Sequence, residues 1–453
     1  MTRPLVEGRK RYHRSTVLGG ALLMSAVLAA CSSSASPGGG TSPSSGSGKA
    51  TGTLTFGVVA PFSGVDAEFG PTNLAGCIPA ILAVERAGGI LGDKHLSCQV
   101  TDTRGDPADA VPIVQKLIAS TSNLVGVVGP TSDEATAVVP VLNNAHVPMF
   151  GNTGQISFNQ NHFQYFWRIT PPDNDVGAAM AIYAKEKGYT RAAFVFATDI
   201  SSAGAVPTLL KSFKYLGGKV VASETIPLDQ SSYQPEVAAV MAAHPQVIFT
   251  EADAQTSSTF FAELAQAHGL VPIVATDGTT EPAWIHPVAK AMGQANMRRY
   301  YVGATPYMAF SGPAFNAWSS ALSATATNSQ MPKPVGQWRD SSFTATDYDD
   351  VIIMALAMDM AKSTNPVVYN SYIPKVVTAS PDAVKVYSYA AGLKELKAGK
   401  RIQYIGATGA VAFDQYHNSP GGFEIVNSAL HFIKAIQPAQ ITQVLVASGA
   451  NKL

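Results

Sequence analysis

From residue 54 onward, short apolar runs alternate with longer segments whose apolar residues recur every three or four positions. Those two periods belong to buried strands and to helices with one buried face. The pattern predicts strands over 54–59 and 96–102, each followed by a helix, over 72–87 and 108–120. The run 124–128 reads as a buried strand that Gly129-Pro130 breaks, and helical spacing follows until a second apolar run over 147–150. The alternation continues with strands over 163–169, 192–197, 219–225, 247–250 and 272–275, and helices over 176–187, 203–216, 234–243 and 256–268. After Tyr300 the pattern turns helical, with 343–362 the longest run, and from Gly409 it reads as short strands. Right-handed crossovers convert such βαβ periodicity into parallel sheets covered by helices on both faces.

A parallel α/β sheet presents its ligand-binding loops at the carboxyl ends of its strands. In the first half these loops are 61–69, 102–106, 129–133 and 151–155, rich in hydroxyls, amides and backbone donors, with Asp133 as an acid among them. At the helix start Thr131 or Ser132 can cap, and Glu134 stands three residues after Thr131 in capping-box position. Free N–H groups there suit a small anion, or they belong to an ordinary αβ turn with a good cap. The second-half loops, 198–203, 251–255 and 276–280, bring Asp199, Glu251, Asp253 and Asp277. One mouth suits a carboxylate and the other an amine, which together describe a zwitterion.

Composition adds a compartment. Arg3, Arg9, Lys10, Arg11 and Arg14 precede an apolar run over 17–30 that ends Leu28-Ala29-Ala30-Cys31. This reads as a lipoprotein signal peptide over 1–30, with Cys31 as the lipid attachment residue. Residues 31–52 are nearly all Ser, Gly, Pro, Ala and Thr and read as a flexible tether. Removing residues 1–30 takes five of 31 basic side chains and one of 31 acidic, leaving 26 against 30, a net −4. That balance argues against a nucleic-acid partner. About 400 residues exceed what one core holds, so two lobes are expected. With Cys31 acylated, Cys77 and Cys98 remain, either as a disulfide or as two buried thiols. No metal-ligand spacing, nucleophile elbow or phosphate loop occurs, so neither a catalytic site nor a cofactor is expected.

Phe62-Ser63-Gly64 with Phe69-Gly70, Gly88-Gly89-Ile90-Leu91-Gly92, and Asp102 with Asp106-Pro107 carry a resemblance. So do Val127-Val128-Gly129-Pro130, Arg168 with Pro171-Pro172-Asp173, Tyr348-Asp349, and Gly406 with Gly409 and Phe413-Asp414. In this order they resemble the leucine/isoleucine/valine-binding proteins, type I periplasmic substrate-binding lipoproteins of ABC importers. The resemblance implies an α/β type I periplasmic-binding-protein fold, two doubly wound parallel-sheet lobes joined by three crossings. It places lobe one at 53–171 and 302–405, and lobe two at 172–301 and 406–453. It also implies a small-molecule ligand, an ABC permease as partner, a lipid anchor on the outer face of the cell membrane, and a monomer.

By the same resemblance Ser132 holds the ligand carboxylate, Thr153 and Gln155 complete that hold, and Asp277 faces the ammonium. Phe69 and Phe343 wall the side-chain pocket, with Ser63 in the first loop. Ser202, or Ala203, and Ala252 stand where the family has aromatic residues, so the pocket is wider or more polar, and Trp284 is a candidate replacement wall. A helix start one residue shorter than the family's leaves Ser132 and Asp133 alternatives for the cleft. Each site residue also has a structural alternative: Phe69 and Phe343 as core, Ser132 and Asp277 as caps, Glu251 and Asp253 as solvated loop acids. The expected solute is a small amino acid, branched-chain-like, or a related amide. The alternatives are a cationic, polyamine-like or aromatic compound, and more distantly a sensory module or a secreted hydrolase.

Overall fold

The computed structural model describes residues 52–452, so the signal peptide, Cys31 and nearly all of the tether lie outside the described residues. Strand β1 (Thr53–Ala60) is apolar along most of its length and buried from Leu54 onward, as a strand covered on both faces must be. It pairs in parallel with β2 (His95–Asp102) and β3 (Leu124–Thr131), and β4 (Met149–Asn152) and β5 (Phe166–Trp167) extend the sheet in the order β2-β1-β3-β4-β5. One face packs Phe56, Val128 and Ile352, and the other Val127, Leu142 and Phe166.

The second sheet begins with five parallel strands: β6 (Arg191–Ala197), β7 (Lys219–Ile226), β8 (Val247–Glu251), β9 (Ile273–Ala275) and β10 (Tyr301–Pro306). Neighbouring residues feed opposite cores: Phe194 and Phe249 join Leu209 on one face, while Val195 and Ile248 join Phe261 on the other. Strands β11 (Val384–Val386), β12 (Ile402–Gly406) and β13 (Gly409–Ala410) form a small separate sheet. The hairpin β14 (Phe423–Asn427) and β15 (Phe432–Ile436) then adds two antiparallel strands beside β10. Periodicity does not register this reversal, because strand direction depends on the connection and not on the residues within the strand. The two-lobed α/β architecture is otherwise the expected one.

Two boundaries shift. Strand β10 pairs with β9, so residues 302–306, assigned to lobe one from the sequence, belong to the second sheet. Strand β3 does not stop at Gly129 but runs to Thr131 with a register shift after Val128. Gly129 adopts φ +98°, and a Cβ there would meet the Val59 carbonyl oxygen at 2.0 Å, so only glycine fits.

The chain passes between the sheets after β5, β10 and β13, and buried polar groups tie the crossings together. Arg168 donates its backbone N–H to His417 and accepts from Ser419, while its Nε donates to Asn418 Oδ1 at 2.9 Å. The long helix Ser342–Ala361 is buried from Ser342 to Met358, and its Asp349 carboxylate accepts from the Tyr404 hydroxyl and from the Thr408 N–H and Oγ1. A Cβ on Gly406 would meet that carboxylate at 2.1 Å, which explains the Tyr348-Asp349 and Gly406/Gly409 elements as one anchored turn. Cys77 and Cys98 form a disulfide with Cα atoms 6.3 Å apart, linking the helix Phe69–Arg86 to β2.

Candidate functional site

Between the strand ends of the two sheets lies a cavity lined by Phe69, Thr131, Ser132, Asn152, Gly154 and Thr170 from the first-lobe side, together with Phe343. Asp173, Ser201, Glu251, Asp277 and Gly278 line it from the first crossing and the second lobe. Its volume, about 30 Å³, holds only a water or two. The cavity in this structure is therefore smaller than an amino acid, and contacts run directly between the two rims.

The closure is made of specific contacts. Asp133 Oδ1 accepts from the backbone N–H groups of Ile200 and Ser201 at 2.9 and 3.1 Å. Glu68 Oε1 accepts from the Ala254 N–H at 3.1 Å. In the opposite sense, Glu281 of the second lobe accepts from Thr72 Oγ1 at 3.0 Å and from Ser341 Oγ at 2.8 Å. The choice between Ser132 and Asp133 dissolves: Ser132 lines the cavity, while Asp133 reaches past it to fasten the other lobe.

Four predicted residues meet around the cavity: Phe69, Ser132, Asp277 and Phe343. Phe69 and Phe343 stand edge to face, centroids 6.0 Å apart at 83°, as an aromatic wall. The others serve elsewhere. Ser63 is exposed and donates its Oγ to Asp102 at 2.7 Å, because the Asp102 carboxylate organises that loop. Thr153 and Gln155 stand one layer behind the wall: the Thr153 hydroxyl meets the Ser132 hydroxyl at 3.0 Å and accepts the Gln155 N–H. The Gln155 amide donates to the Ser132 carbonyl. Ser202 turns its backbone to Asp199, leaving Ser201 at the cavity. Ala252 lies in the core, where its carbonyl accepts the Trp284 indole N–H at 2.8 Å, so Trp284 is a core residue packed on Tyr301 and not a replacement wall.

The acids carry the largest revision. Asp253 caps the helix Ala254–Gln266, but Glu251 is buried and lines the cavity, contrary to its reading as a solvated acid. Asp173, in the Pro171-Pro172-Asp173 crossing, was missed as a site residue, although an acid directly after a crossing was its signal. A Cβ on Gly154 would fall 1.9 Å from Asp173 Oδ1 and one on Gly204 2.1 Å from Oδ2, so these glycines make room for the carboxylate. Burial, reinforced by the Asp277 charge, pushes Asp173 up to about 8 against the pull of Arg168. Burial pushes Asp277 up to about 7, with backbone donors opposing it, and pushes Glu251 well above the carboxylate range with the help of Asp277.

Arg168, itself lowered by burial to about 10, does not line the cavity: it donates to the carbonyl oxygens of Thr153 and Gln155 at 3.4 and 3.0 Å. At the helix start Ser132–Asn144, Glu134 already accepts from the Thr131 N–H and hydroxyl, each at 3.0 Å, so a carboxylate meets that N-terminus from within the chain. The site therefore offers three carboxylates, the hydroxyl residues Thr131, Ser132, Thr170 and Ser201, the Asn152 amide and two phenyl rings. It can bind, but it presents no nucleophile with a base.

Two parallel sheets facing each other across such a cavity define a type I periplasmic-binding-protein architecture. The periplasmic binding protein family model matches residues 53–371, and the chain belongs to this family of solute-binding proteins, which makes it a binder and not an enzyme. Solved structures agree in fold. A leucine-binding protein from Thermotoga maritima is 18% identical with a TM-score of 0.67, the match covering 85% of this chain and 99% of that one. A branched-chain amino acid transporter substrate-binding protein from Streptococcus pneumoniae, solved with isoleucine, is 20% identical with a TM-score of 0.66, covering 84% and 98%. A solute-binding protein of an ABC transporter from R. palustris, solved with benzoate, is 19% identical with a TM-score of 0.64, covering 85% and 95%. No curated protein matches the chain.

Proposed function

We propose that this protein is the lipid-anchored, extracytoplasmic solute receptor of an ABC importer and that its cleft takes a small solute bearing a protonated amine. The observation that carries the reading is the lining: Asp173, Glu251 and Asp277 border the cavity, and no lysine or arginine does. Taking three carboxylates out of water without a partner is costly, and a cation between them relieves both desolvation and mutual repulsion. Phe69 and Phe343 flank the carbon skeleton or, through their faces, the cation itself. The solute then bridges the lobes, and the permease recognises the closed form. The basic run before Cys31 supports the lipid anchor.

A zwitterionic amino acid is the second reading, favoured by Ser132 lining the cavity at a helix start. Glu134 at that same start weighs against it, since the helix end already has its anion. A thermal-shift screen of diamines, amino acids, amides and carboxylates decides. A ligand at one hundred times its Kd adds about 2.7 kcal/mol, and amines are expected to give the shift. If benzoate or a dicarboxylate stabilises the protein and no amine does, the reading fails.

A further inference from the structure

One buried acid stands beside the cavity without lining it. Glu281 follows the turn Asp277–Thr280, whose Asp277 does line the cavity, and is itself wholly buried. Among the described residues its carboxylate has two partners, both from lobe one: the Thr72 hydroxyl at 3.0 Å and the Ser341 hydroxyl at 2.8 Å. These residues stand at the starts of the two helices that carry the aromatic wall. Thr72 follows Phe69 by three residues in the helix Phe69–Arg86 and so shares its face. Ser341 caps the helix Ser342–Ala361, whose second residue is Phe343. The Ser341 oxygen accepts the Thr344 N–H at 3.1 Å as a cap and still reaches both Glu281 oxygens, at 3.0 and 2.8 Å. Burial pushes Glu281 up to about 7 against the pull of the two hydroxyls, and no lysine, arginine or histidine among the described residues pairs with it. A buried carboxyl kept at that cost, in contact with both wall-bearing helices, calls for a role in the site.

We propose that Glu281 is a positioning residue of the solute site: by gripping Thr72 and Ser341 from lobe two it fixes the spacing of Phe69 and Phe343, and so sets how the cleft discriminates among solutes by their carbon skeleton. The edge-to-face contact of the two rings, with centroids 6.0 Å apart, depends on where both helices start. Each start has a further tie of its own to lobe two: Glu68 Oε1 accepts the Ala254 N–H at 3.1 Å, and the Ser342 hydroxyl meets Thr305 Oγ1 at 2.7 Å. Of these ties only Glu281 takes hold of both helices. Its loss therefore frees their spacing while each helix stays docked. The three carboxylates that border the cavity lie outside this grip, so recognition of the amine itself is kept. Glu281 also raises Asp277, an effect common to every amine, so the wall is read in the ratio between two amines and not in either affinity. The ratio rests on the amine reading of the site; the positioning of the rings does not.

The test uses the mature chain with 4-fluorophenylalanine in place of Phe343, read by fluorine NMR without solute, and the unlabelled chain for affinities by calorimetry. Glu281→Ala should displace or split the fluorine resonance, and Glu281→Gln, which keeps an acceptor oxygen for Ser341, should restore it. Thr72→Val removes one end of the grip and should also displace the resonance, which keeps the test decisive if Glu281→Ala does not fold. Phe213→Leu, in the second-sheet core opposite Trp284, should lower the Tm and leave the resonance in place. In calorimetry Glu281→Ala should cut the preference for butylamine over methylamine about tenfold, and Glu281→Gln should keep it. A merely structural role would weaken both amines alike. The proposal is overturned if neither Glu281→Ala nor Thr72→Val moves the resonance, or if Phe213→Leu moves it as much as they do. An unchanged preference between the two amines in Glu281→Ala overturns it equally. If no amine binds the parent chain, the amine reading fails while the resonance still decides the role of Glu281.

Discussion

The two rims of the cleft are built from the same strand–loop–helix unit and spend their acids differently. Lobe one extends side-chain carboxylates, Asp133 and Glu68, to the backbone N–H groups at helix starts of lobe two. Lobe two receives those carboxylates at helix starts that its own Asp199 and Asp253 also cap, extends Glu281 to Thr72 and Ser341 in return, and turns Glu251 and Asp277 into the cavity. Both rims latch, and the acids that face the cavity come from the second lobe and the crossing before it. The lesson is that an acid at a strand end has no fixed role: its function depends on whether the nearest unpaired donor belongs to its own lobe, to the facing lobe, or to a solute.

The lobes also differ in cross-linking, and removing this difference should have the largest effect. The Cys77–Cys98 disulfide closes a loop with sequence separation 21 in lobe one, and no other cysteine is available to lobe two. Replacing both cysteines by alanine should cost about 3 kcal/mol in denaturant unfolding while leaving solute affinity unchanged. Next in size are the acids that face the cavity. Asp277→Asn should weaken an amine solute by about 1.5–3 kcal/mol, whereas Ser132→Ala should cost less than about 1 kcal/mol. Equal losses in calorimetry would favour the zwitterion.

The pH response separates the rims further. Asp277 and Asp173, raised to about 7 and about 8, keep protons in the ligand-free protein that the unfolded chain, with ordinary aspartates near 3.9, has already released. Between these values the native state binds more protons, so stability falls as pH rises, and the ligand-free Tm should be higher at pH 5 than at pH 8. Affinity for a cationic solute should move oppositely, rising from pH 6 to pH 8 by about tenfold through Asp277 and somewhat more through Asp173 as the carboxylates ionise. A flat affinity profile would remove both acids from recognition. The smallest effect belongs to a single latch. Glu68→Ala removes one acceptor for the Ala254 N–H and should weaken solute binding by about 1 kcal/mol, with a larger radius of gyration in scattering.

Much of the fold was legible because it is local. The helix expected over 343–362 is Ser342–Ala361 and the strand expected over 219–225 is Lys219–Ile226, whereas the strand expected over 163–169 shrinks to Phe166–Trp167 and Tyr301–Pro306 was not read as a strand. The site was legible only in outline. Strand ends marked the correct loops, yet within them Ser201 and not Ser202 lines the cavity, and Thr153 and Gln155 serve Ser132 and Arg168 from behind. Ala252 and Trp284 went to the core, since an indole N–H buried beside a free carbonyl pairs with it. A one-residue error along a loop reverses which way a side chain points, and no period operates there to correct it.

The sequence by itself determined the alternating strands and helices up to Ala275, the long helix over 342–361, the two-lobed layout and the belt of acids at the strand ends, because each depends on spacing or composition within a few residues; it missed the strand Tyr301–Pro306 and the closing helix Pro438–Ser448. Only the tertiary structure decided which acids latch and which face the solute. Asp133 and Ile200 are 67 residues apart in sequence and meet only across the packed lobes. Burial then shifts the carboxylates, and burial depends on the whole chain.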